Sequence, residues 1–179
     1  MSTTPKTALD PSPAAVPAAH RATRWVLAAL RLALGWVFLW AFLDKLFGLG
    51  LATPSAKSWL NGGSPTKGFL SSVEGPFEGF YHAIAGDTWT NVLFMAALAG
   101  VGLALVLGIG LRVAAISGGV LLVMMWTAAL PLENNPFIDD HLVYAGVLAL
   151  FPLTAAGHTL GLGGWWAKLP IVQRLPWLQ

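Results

Sequence analysis

Two adjacent aspartates and a histidine stand at the start of an apolar stretch late in the chain. They are Asp139, Asp140 and His141, within the sequence NNPFIDDHLVY. An imidazole beside a carboxylate can accept and release a proton near neutral pH, which is the chemistry of general acid–base catalysis. We therefore predict that Asp140 and His141 form a proton-relaying catalytic site.

A structural role can also explain the same residues. Asn135 is a good helix N-cap and Pro136 suits a first helical turn, which predicts that a helix starts there. Asp139 and Asp140 would then lie near the positive end of the helix dipole. His141 would make a hydrogen bond between helices, so the two interpretations remain open.

The composition indicates that these residues belong to a membrane protein. The chain has 179 residues, of which 56% are hydrophobic and only 10% are charged, and its mean hydropathy is +0.67. Soluble domains carry about 25% charged residues. A membrane-crossing helix needs about 20 mostly apolar residues. Four segments fit this requirement or nearly so, and they predict an all-α bundle of four transmembrane helices: Trp25–Phe47, Thr88–Leu111, Val113–Leu130 and Phe137–Ala156.

The bundle has a predicted orientation and a predicted packing face. Six basic residues fall on one side of the four spans and three on the other, so both termini are expected in the cytoplasm of a bacterial cell, with the bundle in the inner membrane. We predict a disordered cytoplasmic tail (1–23), a membrane domain (24–157) with a long outer loop (48–87), and a cytoplasmic interfacial tail (158–179). Gly110 is expected to end the second helix. A stripe of small residues on that helix predicts close helix packing: Ala96, Gly100, Ala104 and Gly108.

Other polar and aromatic residues within the spans are candidates for binding a quinone or another substrate. A charged residue inside a membrane helix needs a partner or a route to the surface. If the first and fourth helices touch, Asp44 and Lys45 of the first helix form one cluster with His141 near the outer face. Otherwise Arg31, near the inner end of the first helix, extends its side chain to the membrane surface, and Asp44 and Lys45 form only a local ion pair. The candidates are Arg31, Trp40, Asp44, Lys45 and Tyr144.

Several cofactors and ligands are excluded at this stage. The absence of cysteine excludes disulfides, iron–sulfur clusters and covalently attached haem. His141 and His158 are 17 positions apart, about 25 Å along a helix, so they cannot ligate one haem iron. We predict no metal site, because a helix points consecutive residues such as Asp139, Asp140 and His141 in different directions. No basic cluster suggests nucleic acid.

The chain resembles the DoxX/DoxD family of small four-helix bacterial membrane proteins. The resemblance rests on RLALGWVFLWAFLDKL, WLNGGSPTKGFL, NPFIDDHLVY and AAGHTLGLGGWW, and it spans about Arg24 to Trp166. It is strongest to the DoxD-like branch, the membrane subunit of thiosulfate:quinone oxidoreductase. The resemblance implies oxidation of thiosulfate to tetrathionate, a bound quinone and a second protein subunit. The residues that match are Arg31, Asp44, Lys45, Asp139, Asp140 and His141.

Together these features predict the membrane subunit of a quinone-linked oxidoreductase, with a proton-relaying site near the outer face. The expected partners are membrane lipid, quinone and a second protein subunit, and the small-residue stripe allows a homo-oligomer. One alternative is a non-enzymatic membrane scaffold for a redox or stress-response partner. Another is a small transporter or channel subunit, which the lack of inverted repeats disfavours.

Overall fold

The structure, a computed structural model, describes residues 18–179. Within that part of the chain it contains helices and no β-strand. Short 3₁₀ helices occur at Ser55–Lys57, Trp59–Asn61, Ala156–His158 and Pro176–Leu178. The α-helices are α1 (Ala18–Phe47), α2 (Lys67–Leu70), α3 (Glu78–Ala83), α4 (Thr88–Leu107), α5 (Leu111–Ala128), α6 (Asp140–Leu153), α7 (Gly163–Trp166) and α8 (Pro170–Arg174).

Among residues 18–179, three helices are long and apolar enough to cross a membrane: α1 over His20–Phe47, α4 and α5. The fourth, α6, has 14 residues, which corresponds to about 21 Å of helix and is shorter than predicted. It ends one residue after Pro152, near the position where the sequence predicts that proline bends or ends this helix. The prediction of an all-α membrane bundle is confirmed.

Some predicted helix boundaries are wrong. The left-handed C-cap of α4 is Gly108, with φ +71°, and Gly110 precedes α5 as its N-cap. Both glycines adopt a backbone conformation that other residues avoid, so the sequence GIG forms a sharp turn with two glycine corners. At the other end of the chain, α1 begins at Ala18, within the predicted tail. The rest of that tail, residues 1–17, lies outside the described residues.

The four long helices pack in the order α1, α4, α5 and α6. The most extensive contacts are between α1 and α4 and between α5 and α6, whereas α1 and α6 touch only weakly. The core between them is apolar, with Leu148 and Phe151 of α6 fully buried. The contact between the first and fourth helices, which a single outer cluster of polar residues would require, is therefore minor.

Glycines permit the close helix contacts, but they are not the predicted ones. A Cβ at Gly102 would lie 2.7 Å from Leu39 Cγ on α1, and a Cβ at Gly118 would lie 2.9 Å from Leu148 Cδ1 on α6. By contrast, Gly100 is exposed and a Cβ there meets nothing within 4 Å. Of the predicted small-residue stripe, Gly100 faces away from the bundle, whereas Gly108 is buried and closely approaches Gly157 of the C-terminal segment.

The two ends of the bundle differ in charge. The basic end comprises the start of α1, the turn 108–110 and residues 154–179. There Arg24 Nε donates to Thr159 Oγ1 at 3.2 Å, and an Nη atom of Arg112 donates to the Pro176 carbonyl at 2.9 Å. The loop end comprises residues 48–87 and 129–139. The structure thus places the basic residues near the start of α1 and in the C-terminal segment at the same end of the bundle, beside the α4–α5 turn, as the sequence predicts.

The long outer loop is folded, not irregular. The buried Asn91 of α4 fixes it, since its Oδ1 accepts hydrogen bonds from Ser64 Oγ at 2.9 Å and Thr66 Oγ1 at 2.7 Å. The Tyr81 hydroxyl of α3 donates to the Met124 carbonyl of α5 at 2.7 Å. These bonds hold the loop against the ends of α4 and α5.

Candidate functional site

The local structure before α6 begins with a turn at Asn135. Its Oδ1 accepts hydrogen bonds from the N–H groups of Phe137 at 2.9 Å and Ile138 at 3.0 Å. In addition, Trp126 Nε1 of α5 donates to the Phe137 carbonyl at 3.1 Å. These contacts keep residues 135–138 out of the helix, so the prediction of Asn135 as its N-cap is wrong.

The N-cap of α6 is Asp139. Its backbone is extended, with φ −121° and ψ −175°, and its Oδ1 accepts a hydrogen bond from the Leu142 N–H at 3.3 Å. The helix therefore starts at Asp140, and His141 lies in its first turn. The capping role that the sequence assigns to this stretch belongs to Asp139.

Asp139 also pairs with His141. Its Oδ2 lies 2.7 Å from His141 Nδ1, whereas Asp140 Oδ1 lies 3.5 Å from the same nitrogen. The Asp140 side chain is 66% exposed, against 17% for Asp139. Partial burial alone would raise the pKa of the Asp139 carboxyl, but hydrogen bonds from His141 and the Leu142 N–H outweigh it, and the pKa is lowered. The nearer carboxylate partner of His141 is thus Asp139, a pairing that the sequence did not predict.

The three side chains converge on one point. One ligand atom from each of Asp139, Asp140 and His141 lies within 4.8 Å of the others. The expectation that consecutive residues point apart is wrong here, because Asp139 lies outside the helix and its side chain is free to turn toward His141. This arrangement orients the imidazole through Nδ1, as in the carboxylate–histidine pairs that serve general acid–base chemistry.

A cleft of about 820 Å³ lies beside this pair, between the outer loop and the α5–α6 connection. Apolar side chains form part of its wall, including Phe69, Val73 and Ile138. No lysine, arginine or histidine lines it within the described part of the chain. The carboxylates that line it are those of Glu74, Glu133, Asp139 and Asp140. The cleft therefore disfavours anions.

The predicted residues of α1 do not join this site. Asp44 is 1% exposed, and neither of its carboxylate oxygens has a hydrogen-bond partner among residues 18–179. The Lys45 ammonium lies 6.0 Å from the centre of the Phe94 ring and forms no ion pair with Asp44 within 4.0 Å. The Trp40 ring lies 5.7 Å, centre to centre and at a tilt of 40°, from the ring of Trp36, an exposed residue of the same helix. The single outer cluster expected from the sequence is thus divided between α1 and α6.

Arg31 lies at the basic end of the bundle, about 20 Å along α1 from Asp44. It is fully buried, so it does not snorkel to the surface. One terminal nitrogen donates to the carbonyls of Leu105 and Val106, at the end of α4. The other donates to the Thr159 and Leu160 carbonyls at 3.1 and 2.8 Å. These contacts support a structural role, in which Arg31 caps α4 and anchors the C-terminal segment.

Tyr144, the last of the predicted binding residues, is half-buried and packs against the main apolar core. The proposed roles of Trp40, Asp44, Lys45 and Tyr144 in quinone binding stay predictions. Sequence reasoning also missed Asn91 as an anchor of the outer loop. Its position in the first turn of an apolar helix was the available signal, since a buried amide there needs partners.

The fold and the apolar helices define a multi-pass α-helical membrane protein. A family model described as DoxX matches residues 26–130, more than half of the chain, and the chain belongs to the DoxX family. A search of curated proteins and a search of solved structures each found no match. The matched range includes Arg31, Asp44 and Lys45, whereas the Asp139–His141 pair lies beyond it.

Proposed function

We propose that this chain is the membrane subunit of a quinone-linked oxidoreductase, in which His141 transfers protons to or from the quinone. The observation that carries this proposal is the 2.7 Å contact between His141 Nδ1 and Asp139 Oδ2 beside a large cleft. The carboxylate holds Nδ1 and orients the imidazole, which leaves Nε2 as the ring nitrogen that can exchange protons. Asp140, at 3.5 Å, connects the pair to solvent.

The chemistry requires protons at the quinone. Reduction of a quinone to a quinol takes two electrons and two protons. If thiosulfate is the donor, two thiosulfate ions join through a new sulfur–sulfur bond to form tetrathionate and release two electrons. In this proposal the protons come from water and reach the quinone through the His141–Asp139 pair, whose carboxylate lines the cleft. The head group of the quinone, which is uncharged, fits the apolar wall formed by Phe69, Val73 and Ile138.

The charge of the cleft favours oxidation of the donor on a second subunit. Four carboxylates line the cleft, and like charges repel a dianion such as thiosulfate. The chain also has no cysteine and therefore no thiol that could store electrons. In this proposal the partner subunit oxidises the donor and this chain supplies the quinone site and the proton path.

The proposed location is the bacterial inner membrane, with both termini in the cytoplasm and the cleft on the outer side. This orientation rests on the lysines and arginines gathered at the basic end of the bundle. A cysteine introduced at Ser64 should react with an impermeant thiol reagent on intact cells, and one introduced at Arg174 should not. The opposite pattern would place the cleft in the cytoplasm.

The enzymatic proposal is tested in membrane vesicles that contain the chain together with its native partners. Thiosulfate-dependent reduction of a soluble quinone analogue is measured from about pH 5 to 8, the range in which histidine changes charge. We expect His141→Gln to slow turnover at least about tenfold and to abolish the pH dependence, as for a lost general acid–base group.

Two further variants decide which carboxylate assists His141. Asp139→Asn keeps an oxygen that can cap α6 but removes the charge next to Nδ1, and Asp140→Asn removes the more distant charge. A greater effect of Asp139→Asn is expected from the distances. Glu78→Gln, on the exposed first turn of α3, is the control and should retain full activity. Wild-type rates in all three of the site variants, His141→Gln included, would contradict the proposal.

A non-enzymatic scaffold is the second candidate, and one observation favours it. Large apolar side chains of the loop end are exposed, among them Leu51 at 76%, Leu60 at 65% and Phe137 at 74%. Such residues are typical of a protein-binding surface. If His141→Gln retains activity while Leu60→Ser and Phe137→Ser dissociate a co-purifying protein, the scaffold function is the correct one.

A further inference from the structure

Asp44 is a carboxylate buried within the bundle without a visible partner. It lies one turn from the loop end of α1, and its exposure is 1%. Neither Oδ1 nor Oδ2 accepts a hydrogen bond from any residue in 18–179. An ionised carboxylate isolated from water is strongly unfavourable, and acids inside membrane proteins are normally paired or functional. Asp44 therefore requires a neutralising ligand.

The surrounding elements do not supply one. Helix α4, which packs most extensively against α1, carries no ionisable residue over Thr88–Leu107. The 3₁₀ helix Trp59–Asn61, which also contacts α1, carries none either. On α6, His141 is engaged with Asp139 and Asp140, and the Asp140 side chain is exposed.

Other charged groups near α1 do not pair with Asp44 either, and Lys57, on the loop segment over the end of α1, is exposed. On α1 itself, Lys45 interacts with Asp44 only through a longer-range Coulombic attraction, because its ammonium lies at the Phe94 ring and forms no ion pair with Asp44 within 4.0 Å. Arg31 is bound to carbonyls at the other end of the helix. His158, in the 3₁₀ helix that contacts α1 at the basic end, is exposed. Within the described residues, no basic nitrogen lies within 4.0 Å of the Asp44 carboxylate.

We propose that Asp44 binds a small monovalent cation, a proton or a sodium ion, inside the membrane bundle. A proton forms the neutral acid by binding one carboxylate oxygen, and a sodium ion is a hard cation suited to oxygen ligands. Both remove the cost of an isolated negative charge in a medium of low dielectric constant. In both cases a positively charged ion binds reversibly to the carboxylate oxygens of Asp44.

The outer loop closes this site from the loop end. A Cβ at Gly48, one turn after Asp44, would lie 2.5 Å from Ser55 Cα, so the loop rests directly on the end of α1. Ser58, three residues further, is fully buried and its hydroxyl has no hydrogen-bond partner. The segment that covers the end of α1 therefore carries a second unpartnered oxygen, which is compatible with a bound cation in this region.

This inference does not depend on the quinone chemistry proposed for His141. Asp44 makes no hydrogen bond or ion pair with the Asp139–His141 pair. Failure of the quinone assay would leave Asp44 as a cation site, and failure of cation binding would leave the proton path at His141 intact.

Dicyclohexylcarbodiimide is the probe, because this apolar reagent modifies protonated carboxyl groups in membrane interiors. The full-length protein in lipid vesicles is labelled with sodium or with choline as the only salt cation, at equal ionic strength. Mass spectrometry then measures the adduct on the peptide that contains Asp44. We expect labelling of Asp44 and none of Asp140, whose exposed side chain serves as the internal control. Labelling that sodium suppresses identifies sodium as a ligand, and labelling that sodium leaves unchanged identifies the proton.

Infrared difference spectra cover the case in which the reagent does not reach the site. We expect a carboxyl C=O band of the protonated acid, or a sodium-dependent shift of the carboxylate bands, that Asp44→Asn abolishes. Absence of the adduct together with absence of both spectral signals would overturn the proposal. So would an adduct that appears only in Lys45→Met, because Lys45 would then be the counter-ion of Asp44.

Discussion

Gly102 offers the sharpest test of how the bundle packs. In Gly102→Ala the new methyl group would lie 2.7 Å from Leu39 Cγ and 2.9 Å from both Leu39 Cδ2 and the Leu39 backbone nitrogen. The side chain of Leu39 can rotate, but its backbone nitrogen moves only if α1 moves. In Gly100→Ala, two residues earlier on the same helix, the methyl group meets nothing within 4 Å.

The two variants share one energy term and differ in another. Replacing glycine by alanine inside a helix stabilises it by about 0.5–1 kcal/mol, and both variants gain this amount. Forcing an extra methyl group into a filled contact costs about 1–3 kcal/mol, and only Gly102→Ala bears that cost. The free energies of unfolding should therefore differ by about 1–3 kcal/mol between the variants.

Thermal unfolding in one detergent, followed by tryptophan fluorescence, measures this difference. For a chain of this size about 1 kcal/mol corresponds to about 2–4 °C, so Gly102→Ala should melt about 2–12 °C below Gly100→Ala. Gly100→Ala should melt at or above the wild-type temperature. Equal melting temperatures for the two variants would refute the assignment of Gly102 to the α1–α4 contact.

Three further predictions concern stability. Arg31→Gln should lower the melting temperature strongly, at about 1–3 kcal/mol for each carbonyl left unpaired, whereas Arg24→Gln at the exposed start of α1 should change it little. Tyr81→Phe should cost about 0.5–1.5 kcal/mol in the same assay, because α3 loses its hydrogen bond to α5. The folded-state pKa of Asp139 lies below its ordinary value of 3.8, so the stabilisation by its carboxylate is complete above that pH and is lost as the pH falls through the folded pKa. The difference in melting temperature between wild type and Asp139→Asn should accordingly shrink on acidification, and a constant difference would show that the contact with His141 does not stabilise the fold.

The sequence was sufficient to predict the three long apolar helices and the end of the bundle at which most basic residues gather. Long apolar runs separated by glycine and proline define α1, α4 and α5, because the length of a membrane-crossing helix is set by the bilayer. The placement of Arg112 beside the C-terminal segment also follows from chain order alone, since an even number of spans returns the chain to its starting side. These features depend on local composition, and that information is present in a single sequence.

Helix faces could not be predicted in the same way. On α4 nearly every position is apolar or small, so the pattern carries no polar side that would mark the exterior. The spacing of Ala96, Gly100 and Ala104 correctly identifies a small-residue face, but it does not reveal which neighbour that face meets. The contact instead uses Gly102, two positions away from Gly100 and on a different face of the helix. The packing of Leu39 of α1 against Gly102 shows which face of α4 meets α1, and this contact cannot be seen in the sequence of α4.

The candidate site illustrates why a shift in one helix boundary changes its chemistry. Residues two positions apart in a helix do not face each other, so a helix that started at Asn135 would have separated Asp139 from His141. Asn135 and Asp139 are both good N-caps, and the choice between them is made by tertiary contacts, chiefly the hydrogen bond from Trp126 to the Phe137 carbonyl. Because that bond holds the preceding turn outside the helix, Asp139 is extended and its carboxylate reaches both the Leu142 N–H and His141 Nδ1. The capping role and the proposed role in proton transfer, which the sequence presents as alternatives, can therefore be combined in a single side chain.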